Sequence, residues 1–96
     1  MSNYALSGKA DADVVAISEA SVQQWGVARA EKYIGSLHDA FQMLAQFPDI
    51  GRDVGYIRPN YRMLETGSHV VFYRKTAEGV LTVRVLHAPM DFETHI

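Results

Sequence analysis

Apolar residues in the first half of the chain recur at helical spacing in two adjacent stretches. The first stretch ends at Trp25, and Ser7 is placed to cap its N-terminus. Gly26 separates it from a second stretch that runs from Val27 to Phe47, where Pro48 ends the pattern. Because the break is a single residue, the pattern predicts two antiparallel helices joined as a hairpin. The stripe positions are Ala10, Val14, Ile17, Ser21 and Trp25 in the first helix, and Ala30, Tyr33, Ile34, Leu37, Phe41 and Leu44 in the second.

The second half of the chain changes to the period of two that is typical of strands. Residues 47–60 are rich in Gly, Pro and Asp and are predicted to form a loop. Strands are predicted at Ser2–Leu6, Tyr61–Thr66, Ser68–Lys75 and Val80–His87, with turns at Gly67-Ser68 and Thr76–Gly79 and a terminal turn at Asp91–His95 after Pro89. The order β-α-α-β-β-β predicts an α+β fold, with an N-terminal strand, an antiparallel helical hairpin and a three-stranded antiparallel meander. The length of 96 residues fits a single domain over residues 1–96.

The helical hairpin can cover only one face of the predicted sheet. The strand segments Val70–Tyr73 and Val83–Leu86 nevertheless carry apolar residues on both faces. We therefore expect an uncovered apolar sheet face. In so small a protein, such a face predicts a binding partner.

The register of the three meander strands decides which charged side chains share a face. A two-residue turn after the first of these strands places Arg62 opposite Tyr73. A loop of five residues after the second places His69 opposite His87 and Tyr73 opposite Val83. On this register one face carries Arg62, His69, Tyr73 and His87, and the other carries Arg74 and Arg84. A slip of one residue in the second loop would exchange the faces of the third strand's side chains, so the sequence leaves their placement open.

Composition removes several classes of function. The chain has no cysteine, which excludes disulfides and cysteine-ligated zinc. The start of the chain lacks a basic and apolar leader, and no apolar run approaches the roughly 20 residues of a membrane span, so we expect a cytoplasmic protein without membrane contact. The formal net charge of −2 does not favour direct sequence-specific binding of nucleic acid. No His and carboxylate pair has metal-site spacing and no glycine-rich phosphate loop is present, so we expect neither a metal nor another cofactor.

Six polar side chains on the predicted strands are candidates for the catalysis of RNA cleavage. They are Arg62, Arg74, Arg84, His69, His87 and Tyr73. A ribonuclease needs cations that bind phosphate together with a general acid–base pair. We favour structural roles instead: ion pairs with Glu65 or Asp91 for the arginines, and capping or packing for His87. The negative net charge favours the same interpretation.

Several segments of the chain resemble the ParE family of bacterial toxins. The resemblance rests on Gly67–Arg74, on Val83–His87 followed by Met90-Asp91, on Tyr4–Ser7 with Ala10 and Asp13, on Trp25-Gly26 with Ala30, and on Pro48 with Gly51-Arg52. It therefore covers essentially the whole chain. The resemblance implies a ParE/RelE-type fold, inhibition of DNA gyrase, and neutralisation by a ParD-like antitoxin whose C-terminal segment wraps the toxin as a helix and an extended chain.

On this interpretation the protein is a toxin that binds other proteins and is not an enzyme. The residues predicted to bind the target are Arg62, Arg74, Arg84, His87, Met90 and Asp91, with residues 88–96 as part of that surface. The residues predicted to bind the antitoxin, by helix-in-groove docking or strand addition, are Met43, Phe47, Val71, Tyr73 and Leu86. Two alternatives stay open: a RelE-like ribosome-dependent mRNA endoribonuclease, and a degenerate homologue that binds the antitoxin but has lost toxicity.

Overall fold

The computed structural model of the protein describes residues 3–88 and 92–96. Within these residues a helical hairpin packs on a sheet, and the order of helices and strands confirms the predicted α+β fold. In chain order the elements are β1 (Asn3–Leu6), α1 (Gly8–Trp25), α2 (Val27–Gln46), β2 (Arg52–Asp53), β3 (Arg62–Thr66), β4 (His69–Lys75), β5 (Gly79–His87) and α3 (Phe92–His95). The two long helices and the three meander strands begin and end within one residue of the predicted positions.

Local signals determine both ends of α1. The Ser7 side chain accepts a hydrogen bond from the backbone N–H of Ala10 at 3.0 Å, as an N-cap does. Gly26 has a φ of 87°, which residues with a side chain rarely adopt, and it separates α1 from α2. The predicted cap and the predicted break are both confirmed.

The sheet contains two strand pairings that the sequence did not predict. Its strand order is β1-β5-β4-β3-β2, with β1 parallel to β5 and the other neighbours antiparallel. The N-terminal strand therefore lies beside the last strand of the meander. β2 lies inside the predicted loop, and its two residues are too few to show a period of two.

The predicted register is correct along most of the meander. The partners predicted for Arg62 and His69 in the neighbouring strands are confirmed. Tyr73, however, lies opposite Thr82, so its predicted pairing with Val83 is wrong. A β-bulge at this point adds one residue to β5, and loop length alone cannot reveal an extra residue inside a strand.

The main hydrophobic core lies between the helical hairpin and the sheet. Its buried members come from both helices and from the two central strands: Val14, Ile17, Leu37, Phe41, Leu44, Ala45, Val71, Tyr73, Val80 and Val85. α2 supplies four of these residues, and three of them, Leu37, Phe41 and Leu44, are predicted stripe positions. This core positions α1 beside the end of β5.

The second face of the sheet carries a smaller hydrophobic cluster of its own. Its buried members are Val54, Met63, Val70, Phe72 and Leu86, and Ile57, Tyr61, Val83, Phe92 and Ile96 pack against them. The expectation of an uncovered apolar face is therefore wrong. The cover comes from an irregular loop and from the short α3, neither of which has a periodic pattern that would reveal it.

Replacing Phe92 by alanine is expected to reduce the free energy of unfolding by about 1–2 kcal/mol, because half-buried aromatic surface is lost. The Phe92 ring lies edge-on to Phe72, with ring centroids 4.9 Å apart. Denaturation in urea would measure the loss. Val27→Ala is a suitable control, because Val27 is exposed and should change stability by less than about 0.5 kcal/mol. Equal stability of the two variants would contradict the account of this face.

Candidate functional site

A groove of about 600 Å³ lies between α1 and the C-terminal half of β5, and most of its surface is apolar. The α1 side consists of Asp13, Ala16, Ile17, Ala20, Ser21, Gln24 and Trp25. The opposite side consists of Ser68, His69, Arg84, Val85, Leu86 and His87. Small side chains on one wall and a strand on the other leave room for a polypeptide segment.

The strand wall of the groove has an unpaired edge. β1 pairs with β5 only as far as Thr82. Ser7 then ends the pairing, since its N–H donates to the Thr82 carbonyl at 2.9 Å and its hydroxyl donates to the Val83 carbonyl at 2.8 Å. Beyond Val83, no strand in the described part of the chain lies on this side of β5. Such an edge is a template for strand addition.

Asp13 of α1 holds the beginning of this open edge. Its carboxylate accepts hydrogen bonds from Arg84 Nε at 2.7 Å, from Arg84 Nη2 at 2.9 Å and from the backbone N–H of Val85 at 3.0 Å. Hydrogen bonding to Asp13 raises the pKa of the Arg84 guanidinium above its usual value. The ion pair predicted for this arginine therefore exists with Asp13 in place of the suggested Glu65, and the other suggested partner, Asp91, lies outside the described residues.

The far end of the groove is formed by two histidines and a tyrosine. The Tyr33 hydroxyl accepts a hydrogen bond from the backbone N–H of Ser68 at 3.2 Å, and it lies 2.6 Å from His69 Nδ1. Because the Tyr33 oxygen already accepts one hydrogen bond, we assign the Tyr33 hydroxyl as the donor to His69 Nδ1. The proton of neutral His69 then lies on Nε2. Burial lowers the pKa of His69, and the neighbouring His87 lowers it further. The two imidazole centroids lie 5.5 Å apart.

A separate polar corner lies around Tyr73 and holds the loop after α2. The Tyr73 hydroxyl donates to the Pro48 carbonyl and accepts from the Gly51 N–H, both at 2.8 Å. A Cβ at position 51 would collide with that hydroxyl, so only glycine fits there. Arg62 donates to the Gly51 carbonyl at 2.8 Å and forms an ion pair with Asp49. A hydrogen bond from Lys75 to Asp49 at 2.7 Å lowers the pKa of that carboxyl.

The structure does not gather the six candidate catalytic residues in one place. Arg84, His69 and His87 line the groove, but the Arg84 guanidinium is bound by Asp13. Tyr73 lies four residues from His69 along β4, which is about 13 Å. Its hydroxyl is committed to the loop after α2. The phosphate-binding cations and the acid–base pair of a ribonuclease are therefore not assembled as one set.

The structure also shows where the residues predicted to bind partners lie. In the target set, Arg62 and Arg84 are half-buried in ion pairs, and Arg74 and His87 are exposed. The remaining two members, Met90 and Asp91, lie outside the described residues. In the antitoxin set, Val71, Tyr73 and Leu86 are buried in the chain's own core, Met43 is half-buried, and Phe47 is 58% exposed. Phe47 and Met43 are thus the members that offer surface.

Sequence reasoning missed the alanines that form the wall of the groove. Ala16 and Ala20 line the groove, and together with Ala12 they recur every four residues on the exposed side of α1. This spacing is the sequence signal that could have predicted the groove, because small residues along one line of a helix allow another backbone to approach. Alanine is common on every kind of helix surface, however, so the signal is weak by itself.

Replacing Tyr73 by phenylalanine is expected to reduce the free energy of unfolding by about 1–3 kcal/mol, because two backbone groups lose their hydrogen-bond partner inside the fold. Thr82 provides a matched control. Its hydroxyl is buried and makes no hydrogen bond to any described residue. Thr82→Val should therefore be neutral or stabilising. Thermal or urea denaturation of both variants measures the contrast, and a larger loss in Thr82→Val would refute the assignment of the Tyr73 hydrogen bonds.

Comparison with known proteins adds a family relationship to this geometry. A protein-family model described as the ParE toxin of the type II toxin–antitoxin system parDE matches residues 4–92. The chain is 44% identical over 96 residues to Toxin ParE1 of Mycobacterium tuberculosis, covering 99% of this chain and 98% of that protein. It is 40% identical over 96 residues to Toxin ParE1 of Caulobacter vibrioides, covering 100% and 99%. It is 31% identical over 97 residues to Toxin ParE of Escherichia coli, covering 100% and 94%.

A solved structure described as the chromosomal ParDE TA system from P. aeruginosa has the same fold. The two chains superpose with a TM-score of 0.76 at 22% sequence identity, covering 91% of this chain and 96% of that one. At this identity the likeness concerns the fold alone. Among the described residues, no helix is long and apolar enough to cross a bilayer.

Proposed function

The chain belongs to the ParE toxin family of type II toxin–antitoxin systems, and we propose that it arrests bacterial growth by binding DNA gyrase without a catalytic step. The observation that carries this proposal is identity of 44% and 40% to two proteins named Toxin ParE1 over nearly the whole chain. Gyrase is a cytoplasmic enzyme, so the proposal places the protein in the cytoplasm.

The distribution of polar side chains supports binding over catalysis. Arg62 and Tyr73 hold the loop after α2, and Arg84 is neutralised by Asp13. The two histidines that remain in the groove have no free arginine or lysine beside them among the groove-lining residues. The net charge of −2 adds to this, because a ribonuclease that grips messenger RNA benefits from a basic surface.

We place the target-binding surface on the exposed members of the predicted set. Arg74 and His87 offer a cation and an imidazole to solvent. Met90 and Asp91, which follow in the sequence, stay in the proposed set. In this proposal Arg62 and Arg84 act indirectly, because their ion pairs hold the loop after α2 and the edge of β5 in place.

We propose that a ParD-like antitoxin binds in the groove between α1 and β5. An extended segment of the antitoxin would pair with the open edge of β5 and place apolar side chains against Ala16 and Ala20. The related P. aeruginosa structure is that of a ParDE system, which fits an antitoxin partner for this chain. Phe47 and Met43, at the end of α2, form a second contact surface for the helical part of the antitoxin.

Induction of the chain in growing bacteria tests this function. We expect growth arrest with loss of plasmid supercoiling, a DNA-damage response and intact transcripts, and co-expression of the cognate antitoxin should restore growth. Cleaved transcripts with normal supercoiling would replace the proposal with a RelE-like ribonuclease. Normal growth without antitoxin would indicate a degenerate homologue.

Deleting residues 92–96 is expected to abolish growth arrest and to retain antitoxin binding, because the C-terminal segment is proposed to be part of the target surface. Phe92 and Ile96 also pack on the second sheet face, so the deletion must be compared with a variant that only loses stability. Val54→Ala serves this purpose, because Val54 is buried in the same cluster and lies outside the C-terminal segment. Growth curves after induction measure toxicity. If the deletion remains toxic, or if Val54→Ala is equally inactive, the C-terminal segment is not a target surface.

A further inference from the structure

We propose that His69 and His87 form a binding site for a divalent transition-metal ion of the zinc type at the end of the groove. His87 also belongs to the proposed target-binding surface, but zinc binding to the isolated chain is measured without gyrase, so the two proposals can fail separately. Among the described residues, no group of three or more His, Cys, Asp or Glu side chains is close enough to enclose a metal. The protein would therefore supply two ligands, and water would fill the remaining positions in the isolated chain.

The strand register brings the two histidines together. His69 and His87 lie directly opposite each other, between the pair Val70–Leu86 and a hydrogen bond from the Ala88 N–H to the Ser68 carbonyl. The N–H of Val85 points away from β4, toward Asp13. Because backbone groups alternate in direction along a strand, the backbone groups of His87 also point to the open edge. The two histidines are thus a non-hydrogen-bonded pair, the kind whose side chains are closest in antiparallel sheets.

The distance between the imidazole rings suits a shared ion. Zinc–nitrogen bonds are about 2.0–2.1 Å long, and two imidazoles bound to one tetrahedral ion have centroids about 5 Å apart. The observed separation of 5.5 Å is close to this value. The two rings are inclined by 62°, which a tetrahedral ion accepts because it does not require coplanar ligands.

The surroundings of the two rings favour metal binding further. His69 is half-buried, and its contact with the Tyr33 hydroxyl at 2.6 Å fixes the orientation of the imidazole ring. Nδ1 of His69 faces the Tyr33 hydroxyl, which leaves Nε2 for the ion. When the ion binds Nε2, the ring proton moves to Nδ1, which then donates a hydrogen bond to the Tyr33 oxygen. The Tyr33 hydroxyl can turn and donate its own hydrogen bond to Ser68 Oγ, 3.4 Å away. Tyr33 is thus a positioning residue.

Titration of the refolded full-length chain with zinc chloride at pH 7.5, followed by calorimetry, tests the site. We expect one ion per chain, and His87→Asn should weaken binding by at least about tenfold. His87 is exposed, so this variant should keep its fold. His69→Asn should have the same effect on zinc. His38→Asn is the matched control, because His38 lies on α2 against Phe41 and Tyr4, away from the proposed site. This variant should bind zinc as tightly as the unmodified chain does.

Thermal denaturation provides a second readout. Zinc should raise the midpoint of unfolding of the unmodified chain and of His38→Asn, but not that of His87→Asn. The proposal is overturned if the unmodified chain takes up no zinc at millimolar concentration. It is equally overturned if the double variant His69→Asn/His87→Asn binds zinc as tightly as the unmodified chain.

Discussion

Replacing Ala20 by arginine is expected to weaken antitoxin binding by at least about hundredfold while leaving the fold intact. Ala20 is exposed on α1 and lines the groove beside the open edge of β5. An arginine there would fill the space that the antitoxin segment needs, and binding would leave its charge without a partner. Bacteria that express this variant should therefore remain arrested even when the antitoxin is present.

The matched control is Gln23→Arg, which adds the same charge on the same helix outside the groove. Its affinity for the antitoxin should stay within about threefold of the unmodified value, because a rim charge changes binding little. Calorimetry or surface plasmon resonance with the refolded proteins measures both. If Ala20→Arg binds as tightly as Gln23→Arg, the antitoxin does not occupy the groove between α1 and β5.

Replacing Asp13 by alanine is expected to lower the free energy of unfolding by about 2–4 kcal/mol. The side chains of Asp13 and Arg84 are only 16% and 20% exposed, so removing the carboxylate leaves a sheltered guanidinium without its counter-ion. The backbone N–H of Val85 loses its acceptor at the same time. The loss should extend to antitoxin binding, because Asp13 holds the beginning of the open edge.

Asp11→Ala controls for the loss of a carboxylate near the N-terminus of the same helix. Asp11 is exposed in the first turn, so its loss should cost less than about 1 kcal/mol. The double variant Asp13→Ala/Arg84→Ala should be less destabilised than the sum of the single variants, since the second change removes the stranded charge. Urea denaturation tests both statements. Equal stability of Asp11→Ala and Asp13→Ala would mean that this ion pair contributes nothing to the fold.

Most of the fold could be predicted because its signals are local. Ser7 and Gly26 mark the ends of α1, the stripe of α2 is regular, and the Gly67 turn sets the register that brings Arg62 opposite Tyr73. Each of these depends on residues that are close in sequence. The bulge in β5 escaped because an extra residue inside a strand leaves the turn residues unchanged.

The cover of the second sheet face and the groove could not be predicted for a different reason. Phe92 meets Phe72 from a four-residue helix, and Asp13 meets Arg84 across 71 positions of the chain. Such contacts depend on how complete elements pack, and no periodic pattern records them. The resemblance to ParE toxins provided the family, but it did not indicate that Val71, Tyr73 and Leu86 are buried in the chain's own core.

The most direct test of the central claim is a supercoiling assay with purified gyrase and the refolded chain. A protein inhibitor acts by occupancy, so we predict that loss of supercoiling follows the molar ratio of chain to gyrase and disappears when an equimolar antitoxin is added. RNA in the same reaction should stay intact. Unchanged supercoiling at an excess of the chain, together with RNA cut by substoichiometric amounts of it, would contradict the account.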